Sequence, residues 1–185
     1  ELMLRIELRL IADIGFVGKP NAGKSSLLGR LTAARPKIGN YPFTTKVPHL
    51  GVLQIDDAQV ILADIPGLIE GAAEGAGLGD RFLKHISRTR HLAFVIDLSE
   101  VDPASDVRVL EEELAAYDDS LSSKPRLLVG NKIDIPGAHE RLAEISASFP
   151  DDRALGVSAL TGSGIRQLAG ALLAAGRNSI QNAHK

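Results

Sequence analysis

Four short segments of the chain carry residue types that bind phosphate, metal and a purine base. Residues 18–25 read GKPNAGKS, which fits the phosphate-loop pattern G-x-x-x-x-G-K-[ST]. Further along, DIPG at 64–67 fits D-x-x-G, NKID at 131–134 fits N-K-x-D, and SAL occupies 158–160. Any one of these patterns could arise by chance. All four in this order, each after a predicted strand, predict one guanine-nucleotide site.

The first segment places donors where a phosphate chain needs them. Gly18 and Gly23 allow tight turns, so that backbone N–H groups approach phosphate oxygens. Lys24 is predicted to reach the β- and γ-phosphates as a catalytic cation, and Ser25 to give its hydroxyl to Mg²⁺. The other nucleotide contacts predicted in this segment are Asn21, Ala22 and Ser26.

The second segment predicts a sensor of the metal and the γ-phosphate. Asp64 would hold Mg²⁺ through a water, and the backbone N–H of Gly67 would meet the γ-phosphate as a catalytic donor. Taken alone, D-x-x-G is also a tight turn after any strand. Its position at the end of a predicted hairpin, after the phosphate loop, favours the nucleotide interpretation.

A threonine is expected in the long loop that follows the phosphate-loop helix, where it completes the Mg²⁺ shell and touches the γ-phosphate. Thr44 and Thr45 are the candidates, and we take Thr45 as the metal ligand and catalytic residue. The alternative is an ordinary threonine pair that opens a strand. Leu68 stands where Ras-like enzymes carry a glutamine that orients the attacking water. Since leucine has no hydrogen-bonding group, we expect slow hydrolysis or a borrowed group.

The third segment predicts recognition of guanine. The Asp134 carboxylate can accept two hydrogen bonds from the N1–H and N2–H₂ edge, which adenine does not offer. Asn131 is predicted to tie this loop to the phosphate loop, and the Lys132 stem to cover the base. The alternative is an exposed polar turn. The loop predicted to close over the base consists of Ser158, Ala159 and Leu160.

Composition limits the other possibilities. The chain has 185 residues, a formal net charge of −2 and no cysteine, so it fits one domain without disulfides or thiolate metal sites. Aromatic residues make up 4% of the chain, which argues against stacking platforms for single-stranded RNA. No apolar run approaches a membrane span. We therefore expect a cytoplasmic, monomeric domain.

Period-two and period-3.6 patterns alternate along the chain. They predict strands at 11–17, 50–55, 58–63, 91–98, 126–130 and 154–157, and helices at 24–33, 80–90, 102–117, 137–148 and 165–175, with Gly176 as the last cap. Residues 34–48 are predicted as an ordered loop at most. Alternating strands and helices indicate an α/β, three-layer P-loop NTPase fold, a Ras-like G domain, whose mostly parallel sheet carries helices on both faces.

The ends of the chain suggest a fragment. Residues 1–10 alternate in polarity and are predicted as a strand that links a missing N-terminal domain to the nucleotide domain of residues 11–176. The alternative is a true N-terminal edge strand. Residues 177–185 are polar and predicted as a frayed tail or a linker.

Two charged stretches have competing interpretations. Basic residues recur through 81–91, beside the glycine-rich segment at 67–79. They form either a solvated helix face or a nucleotide-gated contact with RNA or a protein. The acidic run at 111–113 is predicted as a solvated helix face.

The residues around these motifs resemble one family, the Obg GTPases, also called CgtA. The resemblance rests on IADIGFVG at 11–18, ARPKI at 34–38, YPFTT at 41–45 and DIPGLIEGAAEGAGLG at 64–79. It covers the whole chain, but only as the central G domain. Ser26 departs from the threonine of many relatives.

This resemblance implies binding of GTP and GDP with Mg²⁺, slow hydrolysis, and a role of the full-length protein in assembly of the large ribosomal subunit, with its RNA and proteins as partners. It further implies that Asn21 helps to hold K⁺ near the β–γ bridge. The alternative is that Asn21 only caps a turn.

Two further function classes stay open. One is a module that senses guanine nucleotides with incidental hydrolysis. The other is a P-loop ATPase or kinase, such as the related YchF-like proteins that prefer ATP, and the N-K-x-D segment argues against it.

Overall fold

A computed structural model of the chain describes residues 12–32, 37–38, 49–65 and 86–182. Within these ranges it contains seven strands and five helices. The strands are β1 Ala12–Val17, β2 Lys37–Ile38, β3 His49–Ile55, β4 Ala58–Asp64, β5 Thr89–Asp97, β6 Arg126–Asn131 and β7 Arg153–Val157. The helices are α1 Lys24–Leu31, α2 Pro103–Tyr117, α3 Asp119–Ser122, α4 Ala138–Ser148 and α5 Ile165–Asn182.

The strands form one mixed sheet in the order β2-β3-β4-β1-β5-β6-β7. From β4 to β7 the neighbours run parallel, whereas β3 pairs antiparallel with both β2 and β4. The predicted hairpin is confirmed: β3 and β4 are joined by Asp56 and Asp57, and Asp56 has a left-handed φ of 54°. The predicted α/β class with a mostly parallel sheet is therefore confirmed.

Helices cover both faces of the sheet. On one face, α1 and α5 bury leucines against residues such as Phe16 and Val95. On the other face, α2 and α4 pack against Phe94, Ile96 and their neighbours. Successive residues in the middle of β5 belong to opposite cores, which explains why residues 92–96 are all apolar rather than alternating.

Helix α2 begins where the sequence predicts. The Asp102 side chain accepts a hydrogen bond from the Ser105 backbone N–H, and Pro103 occupies the first helical position. This is a favourable helix start, because the side chain of the cap residue satisfies one free backbone N–H and the proline that follows has no N–H to satisfy.

Two predicted helix ends were wrong. The helix predicted to reach Arg90 ends earlier, because β5 begins at Thr89, which pairs with Ala12 of β1. Helix α5 continues through Gly176 to Asn182 instead of ending there. A Cβ on Gly176 would lie 2.8 Å from Val60 Cγ2, so this glycine allows close packing of the helix on β4 and is not a cap.

The acidic run at 111–113 is not a uniformly solvated face. Glu111 pairs with Arg126 of β6, and only Glu112 is fully exposed. Glu113 is half-buried, its Oε2 has no hydrogen-bond partner, and burial raises the pKa of its carboxyl.

Two short elements escaped prediction. Strand β2 lies inside the stretch predicted as a loop, and α3 follows α2 after Asp118, whose side chain caps it at Ser120. The predicted strand at 2–10 and the glycine-rich segment at 67–79 lie outside the described residues.

Candidate nucleotide site

The predicted ligand-binding segments meet at one edge of the sheet. The phosphate loop follows β1, Asp64 ends β4, the N-K-x-D segment begins at the end of β6, and residues 158–160 follow β7. After β1 the chain moves toward β2 and β3, whereas after β5 it moves toward β6. Open parallel sheets bind ligands at such a reversal, beyond the carboxyl ends of their strands.

The phosphate loop has the backbone shape that anion binding requires. Gly18 has φ 156°, and a Cβ there would lie 2.2 Å from the carbonyl oxygen of Val95. The Lys24 ammonium donates to the carbonyls of Gly18 at 2.8 Å and Lys19 at 2.9 Å. The Lys24 side chain thus reaches back across the loop to these carbonyls, and Lys24 is buried.

Asn131 joins the phosphate loop to the two segments predicted to hold the base. Its Nδ2 donates to the Ala22 carbonyl at 2.8 Å, and its Oδ1 accepts from the Ala159 backbone N–H at 3.0 Å. A Cβ on Gly23 would lie only 2.1 Å from Asn131 Nδ2. The predicted tie between the loops is therefore present, and the glycine makes room for it.

A pocket of about 380 Å³ opens beside this junction. All six residues predicted for the base site line it, and Asp134 among them is exposed. Leu160 is 78% exposed, so the pocket is open to solvent on the side that this residue lines. The lining comprises Asn21, Gly23, Ser26, Asn131, Lys132, Asp134, Ile135, Ser158, Ala159 and Leu160.

The loop after β7 is shaped by its own backbone and side chains. Ser158 is fully buried, and its Oγ accepts from the Thr161 N–H at 3.0 Å. Gly162 and Gly164 have left-handed φ values of 89° and 70°. Ser158 therefore holds the loop together, which the three-residue pattern did not indicate.

Asp97, at the end of β5, was missed by the sequence analysis. Its Oδ2 pairs with the Lys132 ammonium, and its Oδ1 accepts from Ser99 N at 2.8 Å and Ser99 Oγ at 2.5 Å. Burial alone would raise the pKa of Asp97, but the hydrogen bonds from Lys132 and Ser99 outweigh it and lower the pKa. The carboxylate is thus kept ionised, and it fixes the lysine predicted to cover the base.

Lys19 of the phosphate loop forms a second unpredicted pair. Its ammonium contacts Oδ1 of Asp106 on α2, whose side chain is 4% exposed. A buried carboxylate needs such a partner. This lysine therefore anchors the loop to α2.

Two predicted metal-site residues meet in the structure. The Ser25 hydroxyl donates to Oδ2 of Asp64, and His49 Nδ1 lies 4.0 Å from the same oxygen. Mg²⁺ prefers oxygen ligands and is commonly held by one or two protein groups plus phosphates and waters. The hydroxyl and carboxylate fit that requirement. Within the described ranges no cluster of three or more His, Cys, Asp or Glu residues forms a protein-only metal site.

Several predicted residues are not placed. Thr44, Thr45, Gly67 and Leu68 lie outside the described residues, so the switch contacts predicted for them stay predictions.

The described part of the basic stretch, residues 86–91, lies at the opposite end of the sheet from the pocket. Arg90 pairs with Asp13 at 3.5 Å, and Asp13 also accepts from the Ile61 N–H at 2.9 Å. Burial, together with the charges of Arg90 and Lys124, lowers the pKa of His91. Arg90 and His91 therefore belong to a strand and not to a helix face, and they lie away from the pocket; the contact with RNA or a protein stays a prediction.

Comparison with known proteins places the chain in a family. A family model described as a 50S ribosome-binding GTPase matches residues 13–132. The chain is 51% identical over 176 residues to GTPase Obg of Borrelia turicatae, a match that covers 95% of this chain and 54% of that protein. It is 52% identical over 178 residues to GTPase Obg of Desulfatibacillum aliphaticivorans, covering 94% and 53%. The chain thus spans about half the length of the curated relatives it matches.

Solved structures show the same fold. Aquifex aeolicus Era bound to GDP and AlF₄⁻ superposes with a TM-score of 0.65 at 25% identity, covering 88% of this chain and 56% of that one. Era in complex with MgGDPNP and nucleotides of 16S ribosomal RNA gives a TM-score of 0.65 at 27% identity, covering 86% and 55%. No described helix combines the length and apolarity needed to cross a bilayer.

Because the family model covers more than half of the chain, the chain belongs to this family of GTPases, and the resemblance to Obg proteins is confirmed.

Proposed function

We propose that this GTPase domain binds GTP and GDP with Mg²⁺ and hydrolyses GTP to GDP and phosphate. The observation that carries the proposal is the Asn131 junction. One side chain connects the phosphate loop to the loop after β7, and it does so beside a pocket lined by Asp134. A site that only bound phosphate would not need this connection to a carboxylate on the pocket rim.

Each end of the nucleotide has its own residues in this proposal. Asp134 accepts the N1–H and N2–H₂ of guanine, while Asp97 holds Lys132 so that its stem covers the base. Backbone N–H groups of the phosphate loop bind the phosphates at the start of α1, where the helix dipole favours anions. Lys24 leaves its two loop carbonyls to contact the β- and γ-phosphates, because a phosphate oxygen is the stronger acceptor.

Ser25 and Asp64 are the described residues proposed to hold Mg²⁺, with Thr45 as the third. The ion supplies charge that offsets the negative charge on the transferring phosphoryl group. The complex of the related Era with MgGDPNP supports this choice of metal. Gly67 is proposed to donate its N–H to the γ-phosphate.

Hydrolysis by the domain alone is proposed to be slow, since Leu68 cannot orient water. Asn21 of the phosphate loop has a left-handed φ of 63° and lines the pocket. Two roles stay open for it: helping to hold K⁺ in place of an arginine finger, or only shaping the turn.

The partner proposed for the full-length protein is the large ribosomal subunit or its precursor, and the location is the cytoplasm. The description of the matching family as 50S ribosome-binding and the Obg names of the relatives support the ribosomal partner. The second candidate is a guanine-nucleotide sensor with incidental hydrolysis, which the same pocket would serve.

Phosphate release under multiple turnover tests the enzymatic proposal. The domain should release phosphate from GTP and not from ATP, and Lys24→Ala should abolish release. Addition of large ribosomal subunits to the full-length protein should accelerate the reaction. Turnover that stays unchanged by subunits would favour the sensor, and equal turnover of ATP would contradict the guanine assignment.

A further inference from the structure

Arg30, in the last turn of α1, contacts the loop after β7. Its Nε donates to the Ala159 carbonyl at 2.8 Å, and its Nη2 donates to the carbonyl of the next residue, Leu160. The contact joins two elements that are about 130 residues apart in the chain and that bind opposite ends of the proposed nucleotide.

The same loop is also held from the other side. Asn131 accepts the Ala159 N–H, so the Ala159 peptide is fixed from β6 while its carbonyl is fixed from α1. Left-handed glycines at 162 and 164 make the segment conformationally demanding. The hydrogen bonds of Ser158 shape the loop internally, and the bonds from Asn131 and Arg30 fix its position beside the pocket.

We propose that Arg30 is a positioning residue for the base: it clamps residues 159–160 onto α1 and thereby slows release of guanine nucleotides. The proposal rests on the proposed function, since it takes the pocket as the base site. Arg30 does not line the pocket, and so it acts only through the loop.

An arginine suits this task better than a lysine. Its planar guanidinium directs two N–H groups at two neighbouring carbonyls, whereas an ammonium is a point charge on a flexible stem. Its place in the last turn of α1 is also favourable for a cation. Because α1 begins at the phosphate loop, the clamp fixes the distance between the phosphate and base subsites.

The test is the dissociation rate of a fluorescent GDP analogue in Mg²⁺ buffer, measured by stopped flow after mixing with excess GDP. Arg30→Ala should release the analogue about tenfold faster, the loss expected for a charge-assisted hydrogen bond. Arg30→Lys should give an intermediate rate. The control is Arg108→Ala, the same change at an exposed site on α2, on the other face of the sheet; it should match the wild-type protein.

A second measurement separates positioning from general damage. Pyrophosphate uses only the phosphate loop, so its concentration-dependent thermal stabilisation should be equal in wild type and Arg30→Ala. Equal weakening of pyrophosphate and GDP would overturn the inference, and so would a wild-type release rate in Arg30→Ala. If that variant does not fold, a wild-type rate in Arg30→Lys overturns it. Failure of the wild-type domain to bind the GDP analogue would instead contradict the proposed function.

Discussion

Replacing Asp97 by asparagine should weaken GDP binding without altering the choice of base. Asparagine is nearly isosteric and can still accept hydrogen bonds from Ser99, so the main loss is the ionic partner of Lys132. The lysine then has no fixed charge to hold it at the pocket wall, and its stem must be ordered by the base alone.

The size of the effect follows from the exposure of the two groups. The Asp97 side chain is 9% exposed, whereas that of Lys132 is 37% exposed. Fully exposed pairs contribute about 0.2–1 kcal/mol, and breaking fully buried pairs costs about 3–5 kcal/mol. For this half-screened pair we expect about 1–2 kcal/mol, which sets the upper limit of the loss in binding at roughly five- to thirtyfold.

Equilibrium titration with fluorescent GDP measures this effect, and Ser99→Ala is the matched control. That variant removes the two hydrogen bonds of the Ser99 hydroxyl, one to Asp97 and one from Lys132, but leaves both charges, so it should lose less affinity than Asp97→Asn. The ratio of guanine to xanthine nucleotide affinities should stay as in the wild type, since Asp134 reads the base. Unchanged GDP affinity in Asp97→Asn, or a changed base preference, would refute the positioning role of Asp97.

The pH dependence of folding gives an independent check on the same carboxylate. Its pKa is lowered in the folded protein, so the folded state binds its proton less readily than the unfolded state does. Its contribution to stability is therefore present above the ordinary carboxyl pKa and is lost as the pH falls through the lowered value. Chemical denaturation of wild type and Asp97→Asn should differ at pH 7 and converge in acid.

Three further predictions concern other parts of the domain. Gly23→Ala should abolish GDP binding in a titration, because the new methyl group would collide with Asn131 and the backbone there has φ 95°; near-normal affinity would contradict the loop junction. Glu113→Gln should raise the free energy of unfolding at pH 7 by about 0.5 kcal/mol, because burial of the charged carboxyl is removed. Since the pKa of Glu113 is raised in the folded protein, this gain should vanish as the pH falls through that pKa. A gain in stability that persists in acid would point to another cause. Replacing Na⁺ with K⁺ at constant ionic strength should speed GTP turnover if Asn21 helps to hold the cation, and Asn21→Ala should remove the difference; identical rates in the two salts would leave only the turn-shaping role.

The parts of the site that touch a ligand were predictable, and the parts that hold those residues in place were not. Lys24 and Asp134 follow from the chemistry of phosphate and guanine, which demands given residue types at short spacing. Asp97 and Arg30 act through residues 35 and about 130 positions away. Such pairs depend on which strands and helices become neighbours in the fold, and a local sequence pattern does not indicate those neighbours.

The errors in the fold have a similar cause. In the sequence Gly176 resembles a helix C-cap, but in the structure it allows the helix to pack closely against Val60. Thr89 continues a helical pattern in the sequence, yet pairing with Ala12 draws it into the sheet. In both positions a contact with β4 or β1 overrides the local preference. The buried apolar middle of β5, residues 92–96, was predictable because a continuous apolar run is visible in the local sequence.

The most direct test of the guanine site is a change of base preference in Asp134→Asn. The account predicts that this variant loses affinity for GTP and gains affinity for xanthosine triphosphate, whose edge presents an acceptor where guanine presents a donor. Competition against a fluorescent nucleotide, with wild type and variant measured side by side, gives both affinities. Unchanged GTP affinity in Asp134→Asn would contradict the assignment of the pocket as a guanine site.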